Sequence, residues 1–348
     1  MLIPVLIIFY EFVLNMSNSM CYPALVEITT DLNTRYNTAQ LSISTWLAGI
    51  AFAAPFMTPL ANRFGRRPFI LGGMLTFLFF TLLTALAPTI ALFILARFFQ
   101  GIGVATFLVL GYVTARENYC GHTLYPWLIL APMVAPLVGG SLLIVLDWRL
   151  LFTLIFLLAL LPLFLFWFFL PETNPEPKKI DLSLTKDTHF YARTLTGAAL
   201  FATLFIWISA SPYLIVWKLK YTPFVFGAAQ VPVFGAIVVG RLLKKRLRKW
   251  GLYIAFASAV WLVLWNLFVS GNLLTTLLPM AGVGLGYGAL PKMGRDGPSI
   301  TLYFLMAALG SFWVALMDES ILGVSALILI FSSFACFSQF SWERMKQS

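Results

Sequence analysis

Twelve apolar stretches, separated by short polar segments, constrain the fold of this chain more than any single motif does. An α-helix needs about 20 predominantly apolar residues to cross the hydrocarbon core of a bilayer. Each stretch has about that length, and together they predict an all-α integral membrane protein with twelve transmembrane helices. They lie at roughly 2–25, 42–61, 69–87, 90–113, 122–146, 150–170, 191–216, 223–243, 251–270, 273–291, 297–317 and 319–340.

The composition supports a membrane protein and argues against other classes. Of the 348 residues 60% are hydrophobic and only 10% are charged, whereas soluble domains have about 25% charged residues. The formal net charge of +10 does not indicate nucleic-acid binding, because nearly all Lys and Arg residues lie between the apolar stretches or at their ends, where they act as topology signals. The three cysteines, Cys21, Cys120 and Cys336, are far apart and without CxxC spacing, so neither a metal cluster nor a disulfide framework is indicated.

The longest hydrophilic segment between two stretches, 171–189, predicts a division of the chain into two halves. We expect an N-terminal six-helix bundle at 1–170, a cytoplasmic linker at 171–190 and a C-terminal six-helix bundle at 191–348. Eighteen of the 23 Lys and Arg residues lie in even-numbered connections or the C-terminal tail, which places both termini in the cytoplasm. The first stretch lacks a basic segment before it and a cleavage site after it, so we expect it to be retained as a helix.

Helix 1 has a carboxylate, Glu11, about 13 Å into a hydrocarbon core of about 30 Å. A charge at that depth costs roughly 3 kcal/mol even on a lenient scale, so it needs a partner, a water-filled cavity or a function. Polar residues recur at steps of three and four along the same helix face. We expect this face, with Glu11, Asn15, Asn18 or Ser19, and Tyr22, to line a cavity; a glutamate that only hydrogen-bonds to its helix neighbours is the alternative.

A second charge inside a stretch, Arg97, lies about 10 Å from the outer end of helix 4. Gln100, one turn further on, adds an uncharged polar group on nearly the same face. If helices 1 and 4 are neighbours, Arg97 is long enough to approach Glu11. Burial and a nearby cation act in opposite directions on the proton affinity of a carboxylate, so we predict that Glu11, Arg97 and Gln100 couple proton and substrate binding. A purely structural charge pair is the alternative.

Several motifs, in order along both halves, resemble the major facilitator superfamily. Four are PLANRFGRRPFI at 59–70, RFFQGIG at 97–103, APMVAPLVGG at 131–140 and YPALVEITTDLN at 22–33. Three more, YEF at 10–12, SPYLIV at 211–216 and QVPVFGAIVVG at 230–240, look like proton-coupled drug antiporters of the MdfA and Bcr/CflA type. The resemblance implies two six-helix bundles around a central cavity.

The resemblance also implies roles for two motifs. The Arg-rich turn between helices 2 and 3 forms a cytoplasmic latch in the family, and the matching residues are Asn62, Arg63, Gly65, Arg66 and Arg67. The helix-5 motif associated with export is matched by Pro132, Pro136, Gly139 and Gly140. Plain helix packing is the alternative for these prolines and glycines.

Two departures from the family pattern bear on coupling. Asn62 replaces the usual aspartate of the turn, which removes a charge that could face a helix N-terminus. Ser19 stands where MdfA-like proteins have a second acid on helix 1. Proton coupling would then depend on Glu11 alone.

The second half offers weaker candidates for the substrate cavity. We expect Trp207, Ser209 and Ser211 of helix 7 and Gln230 of helix 8 to face it. No acid or base lies in helices 7 to 12 away from their ends, so recognition on this side would depend on aromatic and apolar contacts.

The sequence as a whole predicts an inner-membrane, multi-pass antiporter that exports lipophilic or cationic small molecules, such as drugs, in exchange for protons by alternating access. Its expected partners are the substrate, protons and the lipid bilayer. We expect a monomer that binds no nucleic acid or metal and has no enzymatic activity. We expect no cofactor, because the proton gradient would drive transport. Two alternatives remain: an uptake symporter for a metabolite, which the export motif disfavours, and a non-transporting scaffold or sensor, which Asn62 and Ser19 allow.

Overall fold

The computed structural model describes residues 2–111, 113–114, 125–172, 188–268, 273–290, 296–317 and 320–347, and in these ranges the regular structure is helical. Each of the twelve predicted stretches coincides with a helix. We number them α1 to α12 in chain order. They are α1 (Leu2–Ser19 and Cys21–Asp31), α2 (Tyr36–Phe64), α3 (Arg66–Ala85), α4 (Ile90–Thr106, extended by a π-helical turn at Phe107–Gly111), α5 (Tyr125–Leu142), α6 (Trp148–Phe169), α7 (Thr188–Pro212, extended by a π-helical turn at Tyr213–Lys218), α8 (Pro223–Leu242), α9 (Gly251–Phe268), α10 (Leu273–Ala289), α11 (Gly297–Leu316) and α12 (Ile321–Gln347).

Most of these helices are long and apolar enough to cross a bilayer. In the described ranges nine meet that criterion singly, and α1 meets it as a bent pair of segments. The short helix α10 is apolar but has 17 residues. One further turn of helix, Lys244–Leu247, lies in the connection between α8 and α9 and is basic.

The first helix departs from the prediction of one continuous span, because its two segments meet at Met20 with a bend of 43°. Pro23 gives the physical reason. A proline lacks the N–H that would bond to the carbonyl four residues earlier, and its ring clashes with that carbonyl, which here belongs to Ser19. The bend therefore falls one residue after Ser19, within the polar stripe and before Tyr22.

Several predicted features lie outside the described residues. They include most of the linker at 171–190, since 173–187 is not described, and Cys120. Basic residues of two connections, at 115–124 and 291–295, are not described either. The backbone of Pro132 is helical, but its side chain also lies outside the description.

The first six helices contact the last six along α2 and α11, where a Cβ atom on Gly297 would lie 2.5 Å from the Ala54 carbonyl oxygen. They also meet at the end of the molecule where α1 ends, which we call the Asp31 end. Gln40 of α2 donates a hydrogen bond of 2.9 Å to the carbonyl of Ser209 on α7. The rings of Tyr36 and Tyr213 lie 5.5 Å apart between their centroids. The second segment of α1 also contacts α7 and α8. The halves are therefore held together at this end by uncharged and aromatic contacts.

Candidate functional site

A cavity of about 200 Å³ lies between the first six helices and the last six. A cavity of about 150 Å³ lined by apolar side chains already holds benzene, so this one admits a small organic molecule. From the first half it is lined by Glu11, Leu14, Asn15, Asn18, Ser19, Tyr22, Trp46, Val104 and Leu108, and from the second half by Phe201, Phe205, Ile208, Phe234, Ile300 and Phe304.

The wall formed by α1 is polar. Glu11 is only 7% exposed, and Asn15, one turn further along, donates a hydrogen bond of 2.8 Å to the Glu11 carbonyl. Asn18 donates a hydrogen bond of 3.0 Å to the phenol oxygen of Tyr22, across the bend of the helix. The residues predicted to form a polar stripe on α1, including Ser19, thus lie together on the cavity wall.

The opposite wall is apolar. Phe201, Phe205 and Ile208 recur at steps of four and three on α7 and so share one helix face. The ring of Phe304, from α11, lies 5.6 Å from Phe201 and 6.4 Å from Phe205 between centroids. A ligand in this cavity would meet hydrogen-bonding groups on one side and aromatic rings on the other.

The four polar residues predicted for this second wall lie elsewhere, because they hydrogen-bond to one another and to their neighbours. The indole of Trp207 donates to Gln230 Oε1 at 3.1 Å, and Gln230 Nε2 donates to Ser211 Oγ at 3.3 Å. Ser209 Oγ lies 3.0 Å from Ser311 Oγ. Trp207 and Ser211 line a separate cavity of about 40 Å³, which also touches Tyr36 and Gln40 near the Asp31 end. A polar residue in an apolar helix need not face the cavity, because buried polar groups are usually paired within the protein.

Arg97 is fully buried. It contacts α1 but is not among the residues that line the cavity. Its guanidinium donates to Asn18 Oδ1 at 2.9 Å, to the Ser17 carbonyl at 3.3 Å and to Gln100 Oε1. Gln100 in turn donates to Thr81 Oγ1 of α3 at 2.7 Å. The pairing of Arg97 with Gln100 was expected from their spacing, whereas the contributions of Ser17 and Thr81 were not.

The hydrogen bonds of the Arg97 guanidinium show where it lies along the axis of α1. Ser17 and Asn18 lie six and seven residues beyond Glu11, which corresponds to about 10 Å along a helix axis. The guanidinium therefore binds α1 near its bend, and Glu11 lies about two turns away toward the N-terminus. An amide, Asn18, connects the buried cation to the cavity wall.

Two glycines hold Trp46 and Arg97 beside each other. A Cβ atom on Gly49 would lie 2.1 Å from the Phe98 carbonyl oxygen, and one on Gly101 would lie 2.2 Å from the Trp46 carbonyl oxygen. Helices α2 and α4 therefore cross with their backbones in contact. At this crossing the Arg97 guanidinium lies 5.5 Å from the ring centre of Trp46, within the range of a cation–π interaction.

The turn between α2 and α3 is closed by an acid that follows α6. Both carboxylate oxygens of Glu172, just after α6, accept hydrogen bonds from backbone N–H groups at the start of α3, at 3.0 Å from Arg66 and 3.2 Å from Arg67. The Arg67 guanidinium donates to the Trp167 carbonyl at 2.7 Å. A carboxylate is favourable at a helix N-terminus, so Glu172 supplies there a charge that Asn62 does not carry.

The helix-5 motif packs α5 against two helices at the Asp31 end. A Cβ atom on Gly139 would lie 2.5 Å from Met20 Cγ, at the bend of α1, and one on Gly140 would lie 2.3 Å from the Pro223 carbonyl oxygen at the start of α8. The Pro136 carbonyl oxygen would lie 2.5 Å from a Cβ atom on Gly227 of α8. These glycines let α5 contact the bend of α1 and the second half at once.

No cluster of three or more His, Cys, Asp or Glu residues that could hold a metal ion occurs within the described ranges. The chemistry available at the cavity is therefore that of one carboxylate, amides, hydroxyls and an indole on the polar wall. Such groups can bind a proton, a cation or a neutral polar molecule.

Known proteins resemble this chain in sequence. The multidrug resistance protein MdtM of Salmonella typhimurium is 30% identical over 264 residues, or 71% of this chain and 63% of that protein. The multidrug transporter MdfA of Yersinia pestis is 30% identical, with 71% and 64% covered. The chloramphenicol resistance protein CraA of Acinetobacter baumannii is 30% identical, with 70% and 62% covered. The chain thus spans less than two thirds of the length of these relatives.

Solved structures share its fold. The partially occluded inward open structure of the Escherichia coli xylose transporter XylE has a TM-score of 0.72 at 14% sequence identity, covering 98% of this chain and 96% of that one. A crystal structure of a D-xylose-proton symporter has a TM-score of 0.69 at 14% identity, covering 95% and 96%. At this identity the likeness shows the fold alone. A model of the Major Facilitator Superfamily matches residues 7–294, and the chain therefore belongs to that superfamily, as an all-α, multi-pass membrane protein.

Proposed function

We propose that this protein is a proton-coupled antiporter that exports lipophilic or cationic small molecules, such as drugs, by alternating access. The observation that carries the proposal is the two-sided cavity, which the buried Glu11 lines together with Phe201, Phe205 and Phe304. The names of MdtM, MdfA and CraA, which refer to drug transport or resistance, support the same substrate class.

Glu11 would be the coupling group. A proton and a cationic substrate compete for one carboxylate, so release of the proton on one side of the membrane makes room for the substrate there. Arg97 and Gln100 bias this exchange through Asn18, which joins their hydrogen-bond network to the cavity wall. The predicted roles of Glu11, Arg97 and Gln100 are retained in this proposal, while the substrate contacts of the second half pass from polar residues to phenylalanines.

Alternating access would be a rocking of the bundle at 1–170 against the bundle at 191–348, about the linker at 171–190. The contacts of α5 with α8 and of α2 with α7 at the Asp31 end would form the outer gate. In this arrangement both termini are cytoplasmic, as the distribution of Lys and Arg predicts. The turn with Asn62, Arg63, Gly65, Arg66 and Arg67 would be the cytoplasmic latch, with Glu172 as part of it.

We also propose where such a carrier acts and what it binds. We place it in the inner (cytoplasmic) membrane as a monomer whose partners are its substrate, protons and lipid. It would need no cofactor, because the proton gradient supplies the driving force, and it would catalyse no covalent reaction.

Proton release from purified protein in proteoliposomes, on addition of tetraphenylphosphonium or chloramphenicol, tests this proposal. The wild type should release protons with either compound, and Glu11→Gln should not. Glu27→Gln, on the same helix but off the cavity, is the matched control and should behave as the wild type. Proton release that persists in Glu11→Gln would overturn the coupling role, and accumulation of substrate inside cells under an inward proton gradient would indicate uptake instead of export.

A further inference from the structure

We propose that the indole N–H of Trp46 is the hydrogen-bond donor that recognises the substrate, and that preferred substrates combine an apolar, aromatic body with a hydrogen-bond acceptor such as a carbonyl or nitro oxygen. The inference rests on the proposed transport function and adds to it a residue that determines specificity.

The first observation is an unpaired donor beside the cavity. Trp46 lines the cavity and is 5% exposed. Its Nε1 atom is buried and has no hydrogen-bond partner among the described residues. A buried indole N–H usually finds an acceptor, because leaving it unpaired carries a desolvation penalty. An acceptor on a bound molecule would remove that penalty.

In this proposal the acceptor comes from the cavity, which Trp46 lines. The Arg97 guanidinium lies 5.5 Å from the ring centre of the indole and cannot pair with the N–H, because a guanidinium has only donors. The backbone of Trp46 contacts Gly101, which fixes the position of the residue on the cavity wall. A ligand in the cavity can supply the acceptor.

A second donor on the same wall supports an acceptor-bearing ligand. The phenol oxygen of Tyr22 accepts its hydrogen bond from Asn18, which leaves the hydroxyl proton of Tyr22 to donate. Across the cavity, Phe201 and Phe304 offer ring edges and faces to an apolar body. A molecule with an acceptor at one end and an aromatic ring at the other would satisfy both walls.

The test compares two transported probes in proteoliposomes. Chloramphenicol has carbonyl and nitro acceptors, whereas tetraphenylphosphonium is an apolar cation without a conventional acceptor. Trp46→Phe keeps an aromatic ring against Arg97 and removes the N–H together with the five-membered ring of the indole. We expect the KM for chloramphenicol to rise by about 3- to 10-fold, as for loss of one neutral hydrogen bond, with kcat nearly unchanged. The KM for tetraphenylphosphonium should stay within about twofold.

A second replacement guards against misfolding of the phenylalanine variant. β-(3-Benzothienyl)alanine at position 46 has nearly the shape of tryptophan but a sulfur in place of the N–H, and it should give the same selective loss. Equal changes for both probes, or no change for either, would overturn the role of the indole N–H. Failure of the wild type to transport both probes would instead count against the proposed function, so the two failures are distinguishable.

Discussion

Arg97 of α4 donates a hydrogen bond of 2.9 Å to the side-chain oxygen of Asn18 on α1. This contact ties a fully buried cation to the cavity wall without placing it in the cavity. Because Asn18 also donates to Tyr22 at 3.0 Å, a change in the position of Arg97 is transmitted to a residue that substrate would touch. The bond lies beside the 43° bend of α1.

We expect Asn18→Leu to destabilise the protein by about 2–3 kcal/mol, because it removes one of the three acceptors of the buried, charged Arg97 guanidinium. Asn15→Leu is the matched control, since the side-chain amide of Asn15 bonds to a carbonyl of its own helix and its loss strands no partner. Thermal unfolding in detergent, followed for both variants, measures the difference. Equal stabilities would show that Asn18 does not hold Arg97.

The number of carboxylates in the cavity determines the net charge that each transport cycle moves across the membrane, and the cavity is lined by one carboxylate, Glu11. If Glu11 exchanges one proton for one substrate, transport of tetraphenylphosphonium moves no net charge, whereas transport of neutral chloramphenicol does. We therefore expect an imposed membrane potential, at constant pH gradient, to change the rate for chloramphenicol and to leave that for tetraphenylphosphonium nearly unchanged. Valinomycin-clamped proteoliposomes provide the measurement. A potential dependence for the monovalent cation would imply a second coupled proton.

The fold was largely predictable from the sequence, and the site only in part. Hydropathy located each helix, because a span in lipid must be apolar over its length, and helical spacing placed Glu11 and Asn15 on one face. The roles of Phe201 and Phe304 could not be predicted, since a phenylalanine that faces the cavity and one that faces lipid look alike in sequence. The bend at Met20 was not predicted, although Pro23 was a signal for it through the carbonyl four residues before it.

Gly65→Ala should destabilise the turn between α2 and α3. Gly65 has a φ of 98° and a ψ of 148°, a nearly glycine-only conformation that costs another residue about 1–3 kcal/mol, and a Cβ atom there would lie 2.6 Å from Glu172 Oε2. Gly72→Ala, in the following helix, is the matched control, because a Cβ atom at Gly72 would meet nothing within 4 Å and alanine favours the helix. Thermal unfolding should show Gly65→Ala less stable and Gly72→Ala at least as stable as the wild type.

Glu172→Gln should weaken the same turn by about 1 kcal/mol, because the N–H groups of Arg66 and Arg67 lose a charged acceptor. If this turn is a latch between conformations, the variant should also lower the transport rate at unchanged KM. Glu27→Gln, which removes an acid at the opposite end that also accepts a backbone hydrogen bond from Trp148, controls for the same chemical change at another helix N-terminus. An unaltered rate in a measurably destabilised Glu172→Gln protein would limit Glu172 to a structural role.

Gly140→Ala tests whether the contact between α5 and α8 is a gate. A Cβ atom at position 140 would lie 2.3 Å from the Pro223 carbonyl oxygen, so alanine must push the two helices apart at the Asp31 end. The neighbouring Ser141→Ala is the matched control, because Ser141 bonds to the Leu137 carbonyl within its own helix. We expect Gly140→Ala to lose most transport while remaining folded, since a conformation sealed at this end is no longer reached.

The accessibility of the gate can be measured directly. Cysteines introduced in place of Tyr36 and Tyr213, whose rings are in contact, should be labelled by a membrane-impermeant maleimide faster in the Gly140→Ala background than in the wild type. Equal labelling in the two backgrounds would mean that α5 and α8 pack together without controlling access.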